Sequence, residues 1–163
     1  MSKVIEIHVA ELFAGNDEHT IITNGVGSCV VIVLYDNLAR VGGMAHAILP
    51  HKHQLESTPH YERDQGGRIF VKYADEAVDL LIEEVKVLGG STEHMVAKLI
   101  GGAHMFMLLE GEKNGIGFEN TESARERLQE RGISIETEVV GGSVGRNIRF
   151  DCSTGIVEIT TKV

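Results

Sequence analysis

The sequence predicts an α/β fold, a layered sandwich in which mixed β-sheets pack against helices, and three observations carry that expectation. Short apolar runs alternate with paired glycines, two segments show apolar residues at three- and four-residue spacing, and strand-like alternation dominates the C-terminal end. With 163 residues, 42% of them hydrophobic and 24% charged, the chain has the composition of a folded protein rather than a disordered one. No repeat or low-complexity linker divides it, so residues 1–163 are expected to form a single domain.

The elements follow in chain order. Val30 to Tyr35 is apolar at every position, the pattern of a strand buried on both faces, and it runs into a turn at Asp36-Asn37. Gly42 to Pro50 is a second apolar strand, interrupted by His46. His51 to Arg68 has no periodicity and reads as a long surface loop, either a lid or binding element or a tolerated insertion. From Tyr73, the residues Ala74, Ala77, Val78, Leu81, Ile82, Val85 and Leu88 recur at helical spacing, and Gly89-Gly90 stops the helix. Met95 to Ile100 is an apolar strand. A second helix is expected from Thr121 to Arg131, with Asn120 as N-cap and Ala124 and Leu128 facing inward. Ile133 to Val140 and Ile156 to Val163 alternate as half-buried strands, the first with Ile133, Ile135, Thr137 and Val139 on one face.

The net charge of −9 excludes a partner recognised through a phosphate backbone, which requires clustered Lys and Arg. No apolar run resembles a signal peptide or approaches the roughly 20 residues of a membrane span, so the chain is expected in the cytoplasm. Cys29 and Cys152 are too few for a disulfide framework and lack the spacing of a structural zinc site.

Candidate chemistry begins at Thr23-Asn24-Gly25-Val26-Gly27-Ser28-Cys29. The glycines permit a tight turn, and a thiol held there beside backbone N–H groups would favour the thiolate and find an oxyanion site. Cys29 is either such a nucleophile or a core thiol. His46 is either its acid/base partner, if the two strands pair, or a satisfied core histidine. Thr23 is the candidate for orienting the imidazole, through its hydroxyl or its carbonyl. Cys152 reads as a semi-buried turn residue. His46, His51, His53 and His60 raise a zinc hydrolase, but no HExxH spacing supports one. Gly101-Gly102-Ala103-His104 lacks the Gly-Lys-Ser/Thr ending of a phosphate loop, and Met105, Phe106 and Met107 read as a core plug or a docking surface.

In order and spacing, Thr23 to Cys29, Val41 to Pro50, Lys72 to Asp75, Lys98 to Phe106, Gly141 to Arg146, Phe150-Asp151 and Thr154-Gly155 resemble the CheD family of chemoreceptor glutamine deamidases. The chain differs at Glu119-Asn120, where relatives commonly show Arg-Asn. The resemblance implies a papain-like cysteine chemistry on a fold similar to the cytotoxic necrotizing factor deamidases. Cys29 would be the nucleophile, His46 the acid/base and Thr23 its orienting residue, with Gly25, Gly27 and Ser28 shaping the substrate site and no metal or organic cofactor. The implied substrate is a glutamine on the cytoplasmic helices of methyl-accepting chemotaxis receptors, and the implied partner is a CheC-type phosphatase of the response regulator CheY. Two other readings remain: a non-catalytic regulator that binds such a phosphatase, and a transglutaminase that passes the same thioester to an amine.

Overall fold

The structure is a computed structural model that describes residues 2–52, 61–104 and 115–161. Three layers stack in it. A six-stranded sheet forms the middle, in the order β6 (Ile69–Phe70), β2 (Glu11–Gly15), β5 (Val41–Ala47), β4 (Val30–Asp36), β7 (Met95–Gly101) and β8 (Ser134–Val140). One face carries the helices α1 (Ala74–Val87) and α2 (Ile116–Glu130). The other is covered by a four-stranded sheet in the order β1 (Lys3–Glu6), β3 (His19–Val26), β9 (Arg146–Asp151) and β10 (Val157–Thr161). Parallel and antiparallel pairs occur in both sheets, as the mixed α/β expectation requires.

This layering explains the uniformly apolar β4. Val30, Ile32 and Leu34 join the core beneath the helices, while Val31, Val33 and Tyr35 join the core between the sheets. The strand ends as expected, because Asp36 Oδ1 accepts the backbone N–H groups of Leu38 and Ala39 and Oδ2 accepts that of Ser91. The face of α1 formed by Ala74, Ala77, Val78, Leu81, Ile82 and Val85 is buried, whereas Leu88 lies beyond the helix and is exposed.

Two expectations are corrected. β8 does not keep Ile133, Ile135, Thr137 and Val139 on one face: a bulge at Glu136 shifts its pairing with β7, so Ile133 and Ile135 before the bulge and Val140 after it pack on the helix-side core. The second helix starts at Ile116, not Thr121, with Gly115 as N-cap, so Asn120 sits inside it. Ala124 and Leu128 are buried as expected. The early glycine that hid this start is required there, because a Cβ on Gly117 would fall 2.6 Å from the carbonyl oxygen of Ala103. Parts of the His51–Arg68 loop, including His53 and His60, and the plug residues Met105, Phe106 and Met107 lie outside the described residues, as does Val163. Within the described part of the loop, Arg63 bridges to Ile69.

Candidate functional site

β4 and β5 pair antiparallel with Val31 opposite His46 and Val30 opposite Ala47, so the strand pairing that the site requires is present. Cys29 is the last residue before β4 and lies in a bend two positions from Val31, the residue paired with His46 on one face of the sheet. That face looks into the space between the sheets, where β3 delivers Thr23. Thr23 and His46 are both fully buried, and Thr23 Oγ1 lies 2.7 Å from His46 Nδ1.

The hydrogen-bond chain fixes the state of the imidazole. The Thr23 hydroxyl donates to the carbonyl oxygen of Ile7 at 2.8 Å, an acceptor that has no proton to return. Having spent its only proton, Oγ1 accepts from Nδ1–H of His46. The other ring nitrogen, Nε2, therefore carries a lone pair, and it is buried with no hydrogen-bond partner among the described residues. Burial, and after it the charge of His8, hold the His46 pKa down to about 4 from 6.5, so the ring is neutral at pH 7. It is a base waiting for a proton.

The thiol differs from expectation. Burial pushes the Cys29 pKa above its ordinary value and outweighs the Cys29 backbone N–H, which pulls the other way. The resting pair is thus a neutral thiol and a neutral imidazole, not a preformed thiolate. Cys29 is half-buried rather than sealed in the core.

The bend that presents Cys29 is held at three successive carbonyls. Ala103 N–H donates to Gly27, Asn120 Nδ2 to Ser28 and Gly102 N–H to Cys29, at 2.9, 2.9 and 2.8 Å. The Gly101-Gly102 turn is thus spent on the cysteine bend, and its N–H groups at Gly102 and Ala103 are not free for a phosphate. Gly101 must be glycine: its φ is 118°, and a Cβ there would overlap the Cys29 carbonyl oxygen. Gly27 and Ser28 are half-buried in the same bend, and Gly25 is exposed at φ 67°, where β3 bulges just after Thr23.

Sequence reasoning missed two contributors. The Ile7 carbonyl, which sets the tautomer, has no side-chain signal at all. The sequence marks Asn120 only as a cap, yet its Nδ2 also donates to the Ile48 carbonyl at 3.1 Å, and it is fully buried. Gly117, a poor residue for a helix interior, masks the earlier start of the helix.

Other nucleophile candidates fall away. Cys152 is fully rather than semi-buried, in the core between the sheets, and burial pushes its pKa up to about 12. Ser123, His51 and Asp75 look like a triad, but Ser123 Oγ and Asp75 Oδ2 both approach the same ring nitrogen, Nδ1 of His51. The Ser123 hydroxyl donates instead to the Pro50 carbonyl, so no proton relay exists there.

Comparison with known proteins decides the family. The family model described as CheD chemotactic sensory transduction matches residues 49–161. The probable chemoreceptor glutamine deamidase CheD 2 of Geobacter metallireducens is 40% identical over 98% of this chain and 94% of its own. The chain belongs to the CheD family.

The chemoreceptor glutamine deamidase CheD of Halalkalibacterium halodurans is 38% identical over 99% of this chain and 95% of its own, and the probable CheD of Thermococcus kodakarensis is 39% identical over 95% and 91%. The matched family span starts just after His46, whereas these relatives align across nearly the whole chain. The solved structure of the hypothetical protein YfiH of Bacillus licheniformis aligns at a TM-score of 0.45 with 14% identity, over 79% of this chain and 49% of that one.

Several of the CheD-like landmarks prove to be scaffold around the cysteine bend. Arg146, nearly buried, donates to the carbonyls of Gly101 and Gly141, and Gly141 N–H donates back to Gly101. Lys98 Nζ donates to the Gly155 carbonyl, tying β7 to the turn between β9 and β10. These bonds brace the glycine turn and the strand that leads into it.

Proposed function

We propose that this chain is a single-domain protein-glutamine deamidase, residues 1–163, that converts glutamine side chains of chemoreceptors to glutamate, with Cys29 as nucleophile, His46 as acid and base, and Thr23 as the residue that orients His46. The observation that supports it is the free Nε2 lone pair of a neutral His46, whose other nitrogen is committed to Thr23, one strand away from a half-exposed thiol. The names of the full-length relatives supply the substrate class.

The steps follow from that state. Cys29 Sγ bonds to the glutamine carboxamide carbon as its proton passes to Nε2. The developing oxyanion is met by N–H groups of the cysteine bend, with Gly25, Gly27 and Ser28 leaving room for the substrate. The imidazolium then protonates the amide nitrogen, the C–N bond breaks and ammonia leaves a glutamyl thioester. Water, deprotonated by His46, attacks that thioester, and the returning proton restores the thiol as glutamate departs. Thr23 keeps Nδ1–H in place throughout, so each transfer uses the same nitrogen. The reading places the protein in the cytoplasm, where receptor signalling helices lie, and a CheC-type phosphatase is its proposed partner. Among the described residues no helix is long and apolar enough to cross a membrane.

Incubation with a receptor-helix peptide tests the function: ammonia release with a mass gain of about one dalton at one glutamine supports it, because hydrolysis of the thioester replaces NH2 by OH. Incorporation of an added amine instead would indicate a transglutaminase, and an unchanged peptide would contradict the reading.

Thr23→Val keeps the shape but removes the hydroxyl. It should lower kcat by about 10²-fold, with KM little changed, as the ring loses its fixed tautomer. Steady-state kinetics on the same peptide measure this.

The depressed His46 pKa also predicts the pH dependence. Folded His46 titrates near 4 and unfolded histidine near 6.5, so between those values the unfolded chain binds more protons. This contribution to stability is complete above pH 6.5 and is lost as the pH falls toward 4. At about 1.4 kcal/mol per pH step, it amounts to about 3 kcal/mol. Urea denaturation at pH 7 and pH 4.5 measures it, and kcat/KM should keep its acid limb well below pH 6.

A further inference from the structure

We propose that Asn120 is a positioning residue that sets the spacing between Cys29 and His46; only the activity readout of this proposal rests on the deamidase reading. The ladder between β4 and β5 ends at the pair Val30–Ala47. Cys29 and Ile48 are the next residues outward, and from there no ladder bond holds the two segments together. Asn120 spans that opening. Its single amide nitrogen donates to the carbonyl of Ser28, the residue before Cys29, and to the carbonyl of Ile48, two residues after His46.

The orientation of the amide is determined by its partners, because two carbonyl oxygens accept only and Nδ2 alone can donate to both. The opposite atom, Oδ1, is left buried with no hydrogen-bond partner among the described residues. Asparagine is also a poor residue for a helix interior. A fully buried residue with low helix propensity and an unpaired acceptor is a poor choice for stability alone. What it provides is a two-pronged donor at the mouth of the strand pair. α2 comes close enough to deliver it because Gly117 lets the helix rest against the carbonyls of Gly102 and Ala103.

The test compares Cys29 alkylation by iodoacetamide at pH 7 in the wild type, His46→Ala, Asn120→Ala, Asn120→Ser and Leu128→Ala, with folding followed by circular dichroism. Leu128→Ala loosens the same helix without touching the clamp, which controls for a merely structural role. Asn120→Ala is expected to lose most of the His46-dependent alkylation, by about 10-fold, and to lower kcat on a receptor-helix peptide by about 10–10²-fold with KM within about threefold. Asn120→Ser, which keeps one donor, should fall between it and the wild type, and it decides the matter if the alanine variant does not fold. A folded Asn120 variant that alkylates like the wild type overturns the proposal, as does a Leu128→Ala variant slowed equally. Alkylation needs no receptor. A wild-type chain with His46-dependent alkylation but no ammonia release would therefore overturn the deamidase reading instead.

Discussion

Cys29→Ala is expected to reduce ammonia release from a receptor-helix peptide to background, a loss of at least ~10³-fold, because no other group can form the thioester. The remaining free thiol, Cys152, is buried among Ile21, Ile148 and Phe150 with its pKa pushed up to about 12, and cannot take over. Cys29 belongs to neither core cluster, so the variant should fold with a nearly unchanged melting temperature. That combination separates an enzyme from a phosphatase-binding regulator. A regulator would keep its effect on a CheC-type phosphatase in Cys29→Ala, and its wild type would release no ammonia at all. Circular dichroism and an ammonia assay on one preparation give both readings.

His46→Ala is the second large effect. Without the Nε2 acceptor, the raised pKa of Cys29 leaves a protonated and sluggish thiol, and kcat should fall by about 10²–10⁴-fold. The cost to stability is of a different kind from that of Cys29→Ala, since His46 is fully buried and bonded to Thr23. Its removal should destabilise the protein by about 2 kcal/mol at pH 7, through a cavity and the loss of the hydrogen bond to Thr23. Below pH 5 the comparison changes, because the variant no longer loses stability by protonating a buried ring. Denaturant curves at both pH values, alongside kcat, measure the two effects together.

Much of this architecture was legible in the sequence because the central sheet is buried on both sides. Such burial writes itself as unbroken apolar runs, which is why Val30 to Tyr35 and the strand around His46 stood out. α1 was equally plain, since one helix face meets the core and Gly89-Gly90 ends it. The covering sheet was harder. β1, β3 and β9 are short or polar, and their places come from pairings across distant segments, as where Thr23 meets Ile148. Bulges also erase periodicity, as the one at Glu136 did for β8.

The site divides in the same way. Cys29, His46 and Thr23 were visible as residue types in suggestive places, and the structure brings Thr23 onto His46 and the Cys29 bend onto the same strand pair. The thiolate expectation failed because sequence shows which glycines admit close N–H groups but not how much water burial removes from the sulfur. The Ile7 carbonyl was invisible, since any residue supplies a carbonyl. Asn120 was visible but misplaced, because Gly115 and Gly117 look like a helix boundary until the helix is seen to rest on the Gly102 turn.

One NMR experiment reaches the point on which the chemistry turns, the proton of His46. Nitrogen-15 spectra of histidine-labelled protein should show His46 neutral at pH 7, protonated at Nδ1 and bare at Nε2, and still uncharged near pH 5. A ring carrying its proton on Nε2, or one already cationic at pH 7, would mean that Thr23 does not hold the imidazole as a base toward Cys29.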